Sequence, residues 1–148
     1  MSNSVERLER LIASVPARLV DISDADAAAL PAEGRWSQKE ILGHLIDSAG
    51  NNHQRFVRVQ FAPSLEFPNY QQEAWVAAQS YATERWPDIV NLWLLYNRHL
   101  VHIVRQIPPE AMSRPCTIGE NAPIPLSAVV DGYVDHLEHH LEQILGTK

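Results

Sequence analysis

The histidines are the residues of this sequence whose number and spacing indicate a chemical function. The chain has seven histidines and one cysteine among 148 residues. Three of the histidines, His136, His139 and His140, crowd into one short segment. Neutral imidazoles bind divalent transition metals, and two imidazoles four residues apart on a helix can bind the same ion. His136 and His140 therefore predict a metal site, provided that their segment is helical.

The segment that holds these histidines has the apolar periodicity of a helix over residues 126–145. At about 100° per residue, His136 and His140 lie within or at the margin of the stripe that faces the core. His139 lies about 100° from His140 on the same helical wheel. We therefore expect His139 to be either a surface residue or a group that supports the metal ligands from outside.

A further histidine, His44, lies in an earlier helical segment at the margin of its apolar stripe. It belongs to a polar column that could line a cleft at one end of a bundle, together with Glu40, Ser48, Asn51 and Arg55. Three neutral histidines with open coordination positions match a catalytic divalent site. Because the single cysteine, Cys116, cannot supply a thiolate pair, zinc and nickel are the expected ions.

Each of these residues also has a purely structural interpretation. A histidine pair at this spacing arises by chance in a chain with seven histidines, and core and surface histidines are common. Glu40 fits the capping box that starts at Ser37 better than it fits a general base. We expect His53 to be solvated, and His99 and His102 to be packing or surface residues.

Amphipathic segments must position these side chains, and they predict an all-α four-helix bundle with a long loop before the last helix. The four helices are predicted over about 4–20, 37–61, 87–106 and 126–145, with a shorter helix over 71–81. Pro16 predicts a kink or an early stop near Val15. Loops are predicted over 21–35, 62–70 and 108–125, and no segment has the alternation of a strand.

Length and charge narrow the class of protein. The length fits a single domain, 1–148. Twelve Lys and Arg against 18 Asp and Glu give a net charge of -6, which disfavours binding to nucleic acid or to an anionic membrane. No signal peptide is visible, and the longest apolar run is far too short to span a bilayer. We expect a cytoplasmic protein with a small-molecule substrate.

Two motifs frame the central part of the chain. The first is Trp36-Ser37-Gln38-Lys39-Glu40-Ile41-Leu42-Gly43-His44-Leu45. The second is His136-Leu137-Glu138-His139-His140-Leu141-Glu142-Gln143-Ile144. In this order and at this separation they resemble the two signatures of the DinB-like superfamily of four-helix-bundle proteins, which includes damage-inducible and YfiT-like members. Residues 67–70 and 73–79 also resemble one branch, so the resemblance covers about residues 30–145.

The resemblance implies a bundle with a nonsequential helix order that is usually a homodimer. It also implies a divalent metal held by the histidine of the first signature and by the first and last histidines of the second. These map here onto His44, His136 and His140. Relatives include transferases that use low-molecular-weight thiols such as bacillithiol, mycothiol or glutathione. Leu141 and Glu142 stand where Arg-Gly or Arg-Ala often follows the histidine pair, so the resemblance does not fix the substrate.

Four interpretations of the histidines remain open, and we favour the first. It is a metal-dependent transferase that joins a low-molecular-weight thiol to a small electrophile, with Asn51 or Arg55 contacting an anionic thiol cofactor. The second is a metal-dependent hydrolase in which Glu40 or another carboxylate acts as the base. The third is a non-catalytic dimeric module that stores or senses a metal. In the fourth, the histidines only pack in the core and bind no metal.

Overall fold

A computed structural model describes residues 2–146 and confirms the predicted all-α bundle. Two short helices lie in the connections, α2 (Asp24–Ala28) and α4 (Gln72–Gln79). The four long helices are α1 (Ser2–Val20), α3 (Gln38–Arg58), α5 (Trp86–Gln106) and α6 (Leu126–Leu145). None of the helices in the described range combines the length and the apolar character that crossing a membrane requires.

The long helices do not follow one another around the bundle. The first, α1, packs against α5 and α6, and α3 packs against the same two helices. The consecutive helices α1 and α3 therefore lie on one diagonal, and α5 and α6 lie on the other. This is the nonsequential order that the family resemblance implies. It makes α3 and α6, the helices that carry the candidate ligands, direct neighbours.

The start of α3 is fixed by the predicted capping box. The amide of Glu40 donates to Ser37 Oγ at 3.2 Å, and the amide of Ser37 donates to Glu40 Oε1 at 3.0 Å. These two bonds satisfy amides that a helix N-terminus otherwise leaves without partners. The cap sets the rotation of the first turns of α3, and His44 lies in the second turn.

Side chains from all four long helices fill the core. Leu19, Leu45, Trp93 and Leu137, one from each of these helices, are fully buried. Such close packing leaves the helices little freedom to slide or rotate against one another. The core therefore holds α3 and α6 at a fixed separation, on which the geometry of the histidines depends.

The first helix continues through Pro16 to Val20, so the early stop predicted near Val15 is wrong. Proline removes one backbone hydrogen bond of the helix. However, Val15 and Leu19, on either side of Pro16, are both buried in the core. The packing of these two side chains stabilises the last turn of α1 in spite of the lost bond.

A small sheet joins the chain that follows α3 to the chain that precedes α6. Its strands are β1 (Leu65–Phe67), β2 (Pro115–Ile118) and β3 (Ile124–Pro125). Strand β1 runs parallel to β2, with Leu65 opposite Cys116, and β2 runs antiparallel to β3. The prediction of a chain without strands was wrong. Strands of two to four residues are too short to show an alternating pattern.

Two predicted loops contain more regular structure than expected. Residues 21–35 include α2, which Ser23 caps by accepting a hydrogen bond from the amide of Asp26. Residues 108–125 begin with a 3₁₀ helix (Pro109–Ser113) and continue into β2 and β3. Cys116 is buried in β2, and burial raises the pKa of its thiol. The cysteine is therefore part of the packing.

Candidate metal centre

Three histidines from two helices meet at the interface between α3 and α6. The Nε2 atom of His44 lies 3.1 Å from Nε2 of His136. The ring centroid of His140 lies 4.9 Å from that of His44 and 4.5 Å from that of His136. One ring nitrogen from each residue can be chosen so that all three lie within 4.8 Å of one another. The structure thus brings together the three histidines that the sequence singled out.

The cluster is closed on one side and open on the other. His44 is fully buried, and the ring centroid of Trp36 lies 5.1 Å from its imidazole. His136 and His140 are half-buried and stand one helical turn apart on α6. Solvent can therefore reach the cluster from the α6 side. A catalytic metal site requires such access, because a substrate must reach the open coordination positions of the ion.

Two of the three histidines, His44 and His136, are uncharged at neutral pH. Burial, and then the neighbouring His136 and His140, lower the pKa of His44 to about 4. Burial, followed by His140 and His139, lowers the pKa of His136 to about 4 as well. Neutral imidazole is the form that binds a metal, so these two side chains would not have to lose a proton to bind one at pH 7.

The donors of the cluster fit a divalent transition metal. Two neutral imidazoles whose nitrogens are 3.1 Å apart can share one proton, or both can direct a lone pair at one cation. Among residues 2–146 no carboxylate or thiolate belongs to the cluster. An all-nitrogen donor set suits zinc or nickel, whereas calcium and magnesium require oxygen ligands.

Gln143 orients His140 within the cluster. The Nδ1 atom of His140 lies 2.8 Å from Gln143 Oε1. Because an amide oxygen only accepts hydrogen bonds, Nδ1 is the donor in this contact. In the neutral tautomer with its proton on Nδ1, the lone pair lies on Nε2, which is the atom that a metal would bind. Sequence reasoning assigned no role to Gln143, although its spacing of three residues from His140 on a helix was a usable signal.

Asp47 is a second group that sequence reasoning missed. Its carboxylate is buried and accepts hydrogen bonds from the Tyr81 hydroxyl at 2.8 Å and from Gln79 Nε2 at 2.7 Å. Its Oδ2 atom has no hydrogen-bond partner among the described residues, and burial raises the pKa of the group. The available signal was the position of Asp47, which is three residues after His44 on the same helix.

Of the polar column predicted on α3, only part faces the cluster. Ser48 and Arg55 line a cleft that includes His136. Asn51 instead lines a neighbouring cavity beside Phe67, and Asn52 lines the His136 side in its place. The helical wheel could not separate the two adjacent asparagines, because small rotations of a helix decide which of them faces a cleft.

The remaining candidates have structural surroundings. Glu40 is engaged by the cap of α3 through its bond to the Ser37 amide. His139 is exposed on α6, with its ring centroid 5.1 Å from that of His140. His53 is half-buried and not solvated as expected, because its Nδ1 atom lies 2.8 Å from the hydroxyl of Tyr96.

Two clefts reach different histidines of the cluster. The His136 cleft has a volume of about 270 Å³, and none of the described residues that line it is acidic. Its polar lining consists of His136, Ser48, Asn52, Arg55, Asn69, Tyr70, Gln72 and Tyr133. The His140 cleft is larger, about 550 Å³, and contains two carboxylates, Asp26 and Glu73, beside His140 and Gln143. The two clefts therefore offer different surroundings for a reaction at the cluster.

A family model and a relative of known name both match most of this chain. The family model of the DinB superfamily matches residues 7–144 of this chain. A protein from Oceanobacillus iheyensis, named as a candidate metal-dependent hydrolase, is 24% identical over 147 residues. That match covers 96% of this chain and 80% of the relative.

Solved structures share the fold. YfiT from Bacillus subtilis, described as a candidate metal-dependent hydrolase with an unusual four-helix bundle topology, is similar with a TM-score of 0.85 and 20% identity. This match covers 97% of this chain and 82% of YfiT. A mycothiol-dependent maleylpyruvate isomerase gives a TM-score of 0.72 at 18% identity, over 96% of this chain and 60% of the isomerase. At such identities the likeness establishes the bundle topology.

Proposed function

Because this chain belongs to the DinB superfamily and gathers three histidines at one point, we propose that it is a divalent-metal-dependent enzyme. Our preferred reaction joins a low-molecular-weight thiol to a small electrophile. His44, His136 and His140 hold the ion, zinc or nickel, through ring nitrogens that lie within 4.8 Å of one another. When bound, such an ion lowers the pKa of a coordinated thiol or water, so that either becomes a nucleophile near neutral pH.

The lining of the His136 cleft supports a thiol over water as the nucleophile. None of the described residues in that lining is acidic. Metal-bound water has a pKa of about 7, and its attack commonly relies on a general base, whereas a thiol starts from a pKa of only about 8.5 before the metal lowers it. A thiol of lowered pKa is already a thiolate at neutral pH and needs no base. Burial raises the pKa of Tyr70 to about 12, so its hydroxyl stays protonated and can donate to an electrophile.

Conjugation assays test the proposal. Zinc-loaded and nickel-loaded protein is offered glutathione, bacillithiol or mycothiol together with monochlorobimane, and conjugate formation above the uncatalysed rate is expected. His136→Ala removes one of three ligands, so both the bound metal and the conjugation should be lost. The matched control is His102→Ala, which alters an exposed histidine of α5 and should leave both unchanged.

Two results would count against the proposal in different ways. Protein that holds about one metal per chain but conjugates none of the thiols would overturn thiol transfer and keep metal dependence. Protein in which elemental analysis finds no metal after incubation with zinc and nickel would overturn metal dependence itself.

A metal-dependent hydrolase is the second candidate, and the His140 cleft favours it. Glu73 and Asp26 line that cleft beside His140, and an exposed carboxylate can take a proton from an attacking water. Glu40, the base considered from sequence, is instead engaged by the helix cap. Hydrolysis of small esters or amides without any thiol would establish this alternative. An absolute thiol requirement would exclude it.

A further inference from the structure

A buried cation without an acidic partner lies in the His136 cleft. Arg55 is 9% exposed, and its Nη1 atom donates to Asn52 Oδ1 at 3.3 Å. Its Nε atom is buried and has no acceptor among residues 2–146. Within the same range no salt bridge joins Arg55 to a carboxylate. The guanidinium therefore keeps donor capacity that the rest of the described chain does not use.

Other arginines of the protein are paired differently. Arg7 of α1 forms salt bridges with Asp135 and Glu138 of α6, and Arg105 of α5 forms one with Glu9. Arg55 is more buried than either of them, yet its neighbours are neutral, including the ring of Phe67 at 5.3 Å from the guanidinium carbon. Burying a charge without a counter-ion destabilises a protein. The ring of Phe67 attracts the cation but carries no counter-charge, so the described chain leaves this charge without an anionic partner.

The lining of the cleft indicates which kind of anion could pair with the Arg55 guanidinium. Among the described residues that line this cleft, Arg55 carries the single formal charge, and the neutral donors include Ser48, Asn52 and Tyr70. A monoanion balances one arginine, and a planar carboxylate matches the two parallel donors of a guanidinium. Ile118 and Val129 supply apolar walls for the rest of a small molecule. In the metal-free cleft, a dianion such as phosphate would leave one of its charges without a partner.

We propose that Arg55 binds the carboxylate of a compound whose reacting group lies at His136. The carboxylate belongs either to the thiol cofactor or to the electrophile, and the chemistry of recognition is the same for both. This inference rests on the proposed function for what happens at His136. The binding of the carboxylate itself needs only the cleft, so it can be measured with and without metal.

Calorimetric titration with a matched pair of probes tests the proposal. Benzoate and benzamide have nearly the same shape, and only benzoate is charged. We expect metal-free and zinc-loaded protein to bind benzoate at least about tenfold more tightly than benzamide, as hydrogen bonds to a charged group allow. Arg55→Gln should remove this preference, and Arg55→Lys, which keeps the charge but loses the planar fork, should keep part of it.

Two further variants separate binding from folding. Arg58→Gln, three residues along α3, alters an exposed arginine that bonds to Gln54, so benzoate affinity should not change. Arg55→Met fills the same space without a charge, so the Tm of this variant should be equal to or above that of the wild type. Benzoate should raise the Tm of the wild type but not that of Arg55→Met. A lower Tm of Arg55→Met with full benzoate affinity would show a structural arginine and overturn the proposal.

A pair of thiols distinguishes the two sources of the carboxylate. N-acetylcysteine and its amide differ only in that group. If the thiol carries the carboxylate, zinc-loaded wild type prefers N-acetylcysteine and Arg55→Gln does not. If the electrophile carries it, both thiols bind alike, and benzoate binding alone depends on Arg55.

Different results overturn the carboxylate site and the metal-dependent reaction. Equal affinity of wild type and Arg55→Gln for benzoate and for N-acetylcysteine overturns the carboxylate site, whatever the metal content. A protein that holds no zinc but binds benzoate through Arg55 retains the carboxylate site, and it overturns the metal-dependent reaction.

Discussion

His44 and His136 combine burial with close contact to other imidazoles. Each has a pKa of about 4, and their Nε2 atoms lie 3.1 Å apart. In an unfolded chain the same side chains would titrate near about 6.5. Folding therefore lowers the proton affinity of these two side chains, and the stability of the metal-free protein depends on pH as a result.

The sign of this dependence follows from proton uptake. Above about pH 6.5 both states are neutral at His44 and His136, and the two residues add no pH dependence. Between about 6.5 and 4 the unfolded state binds protons that the folded state does not, so the free energy of unfolding falls as the pH falls. Urea unfolding of metal-free protein at pH 7 and pH 5 measures this loss.

A variant identifies the residues responsible for the loss. His136→Gln keeps a polar side chain of similar size that does not titrate, so it should lose less stability than the wild type between pH 7 and pH 5. His102→Gln, at an exposed position, should behave as the wild type does. Identical pH dependence in wild type and His136→Gln would contradict the assignment.

Among the secondary-structure elements, the long helices could be predicted from sequence and the short strands could not. The ends of α5 and α6 agree with prediction because long apolar stripes and clear terminal residues mark them. Strand β2 pairs with β1 across a wide sequence separation, and no local pattern encodes such pairing. Packing against the core likewise carried α1 past Pro16. Local sequence signals therefore determine which segments form the long helices. Tertiary contacts determine the strand pairing and the end of α1.

Gly43 shows how closely α3 is packed next to its histidine. A Cβ atom at this position would lie 2.3 Å from Cδ2 of Tyr81. That ring is buried, and its hydroxyl is bonded to Asp47, so it cannot move away freely. Gly43→Ala should therefore destabilise the protein by about 1–3 kcal/mol, the usual cost of overpacking. Because His44 is the next residue, zinc affinity should also fall.

Gly132 of α6 provides the matched control. A Cβ atom there would meet nothing within 4 Å. Gly132→Ala should stabilise the protein by about 0.5–1 kcal/mol, because alanine favours a helix over glycine. Urea unfolding of both variants, with zinc titration, makes the comparison. Effects of the same sign would contradict the close contact between α3 and Tyr81.

For the whole molecule, the sequence predicted the histidine cluster better than it predicted the surroundings of that cluster. The cluster needed only helical periodicity and two motifs. The clefts are built in part from segments predicted as loops, such as Pro31 beside His140 and Ile118 beside His136. Which residues of those segments face the cluster depends on tertiary packing. The single domain, the cytoplasmic location and the absence of nucleic-acid or membrane binding stay predictions.

The homodimer implied by the family resemblance is also a prediction. Light scattering coupled to gel filtration should give about twice the chain mass of 16.7 kDa. Leu92 and Leu95 of α5 are exposed at 45% and 59%, so the surface carries apolar side chains that a second copy could cover. A mass of one chain at every concentration would contradict a dimer.

The nonsequential order of the helices also sets when the histidine cluster can exist. His44 is synthesised before its partner His136, which follows 92 residues later. In the finished fold α3 stands beside α6, the last of the four long helices to be made. A ribosome-bound chain thus presents one candidate ligand until α6 is complete. An ion held by all three histidines is therefore acquired only after that helix docks against α3.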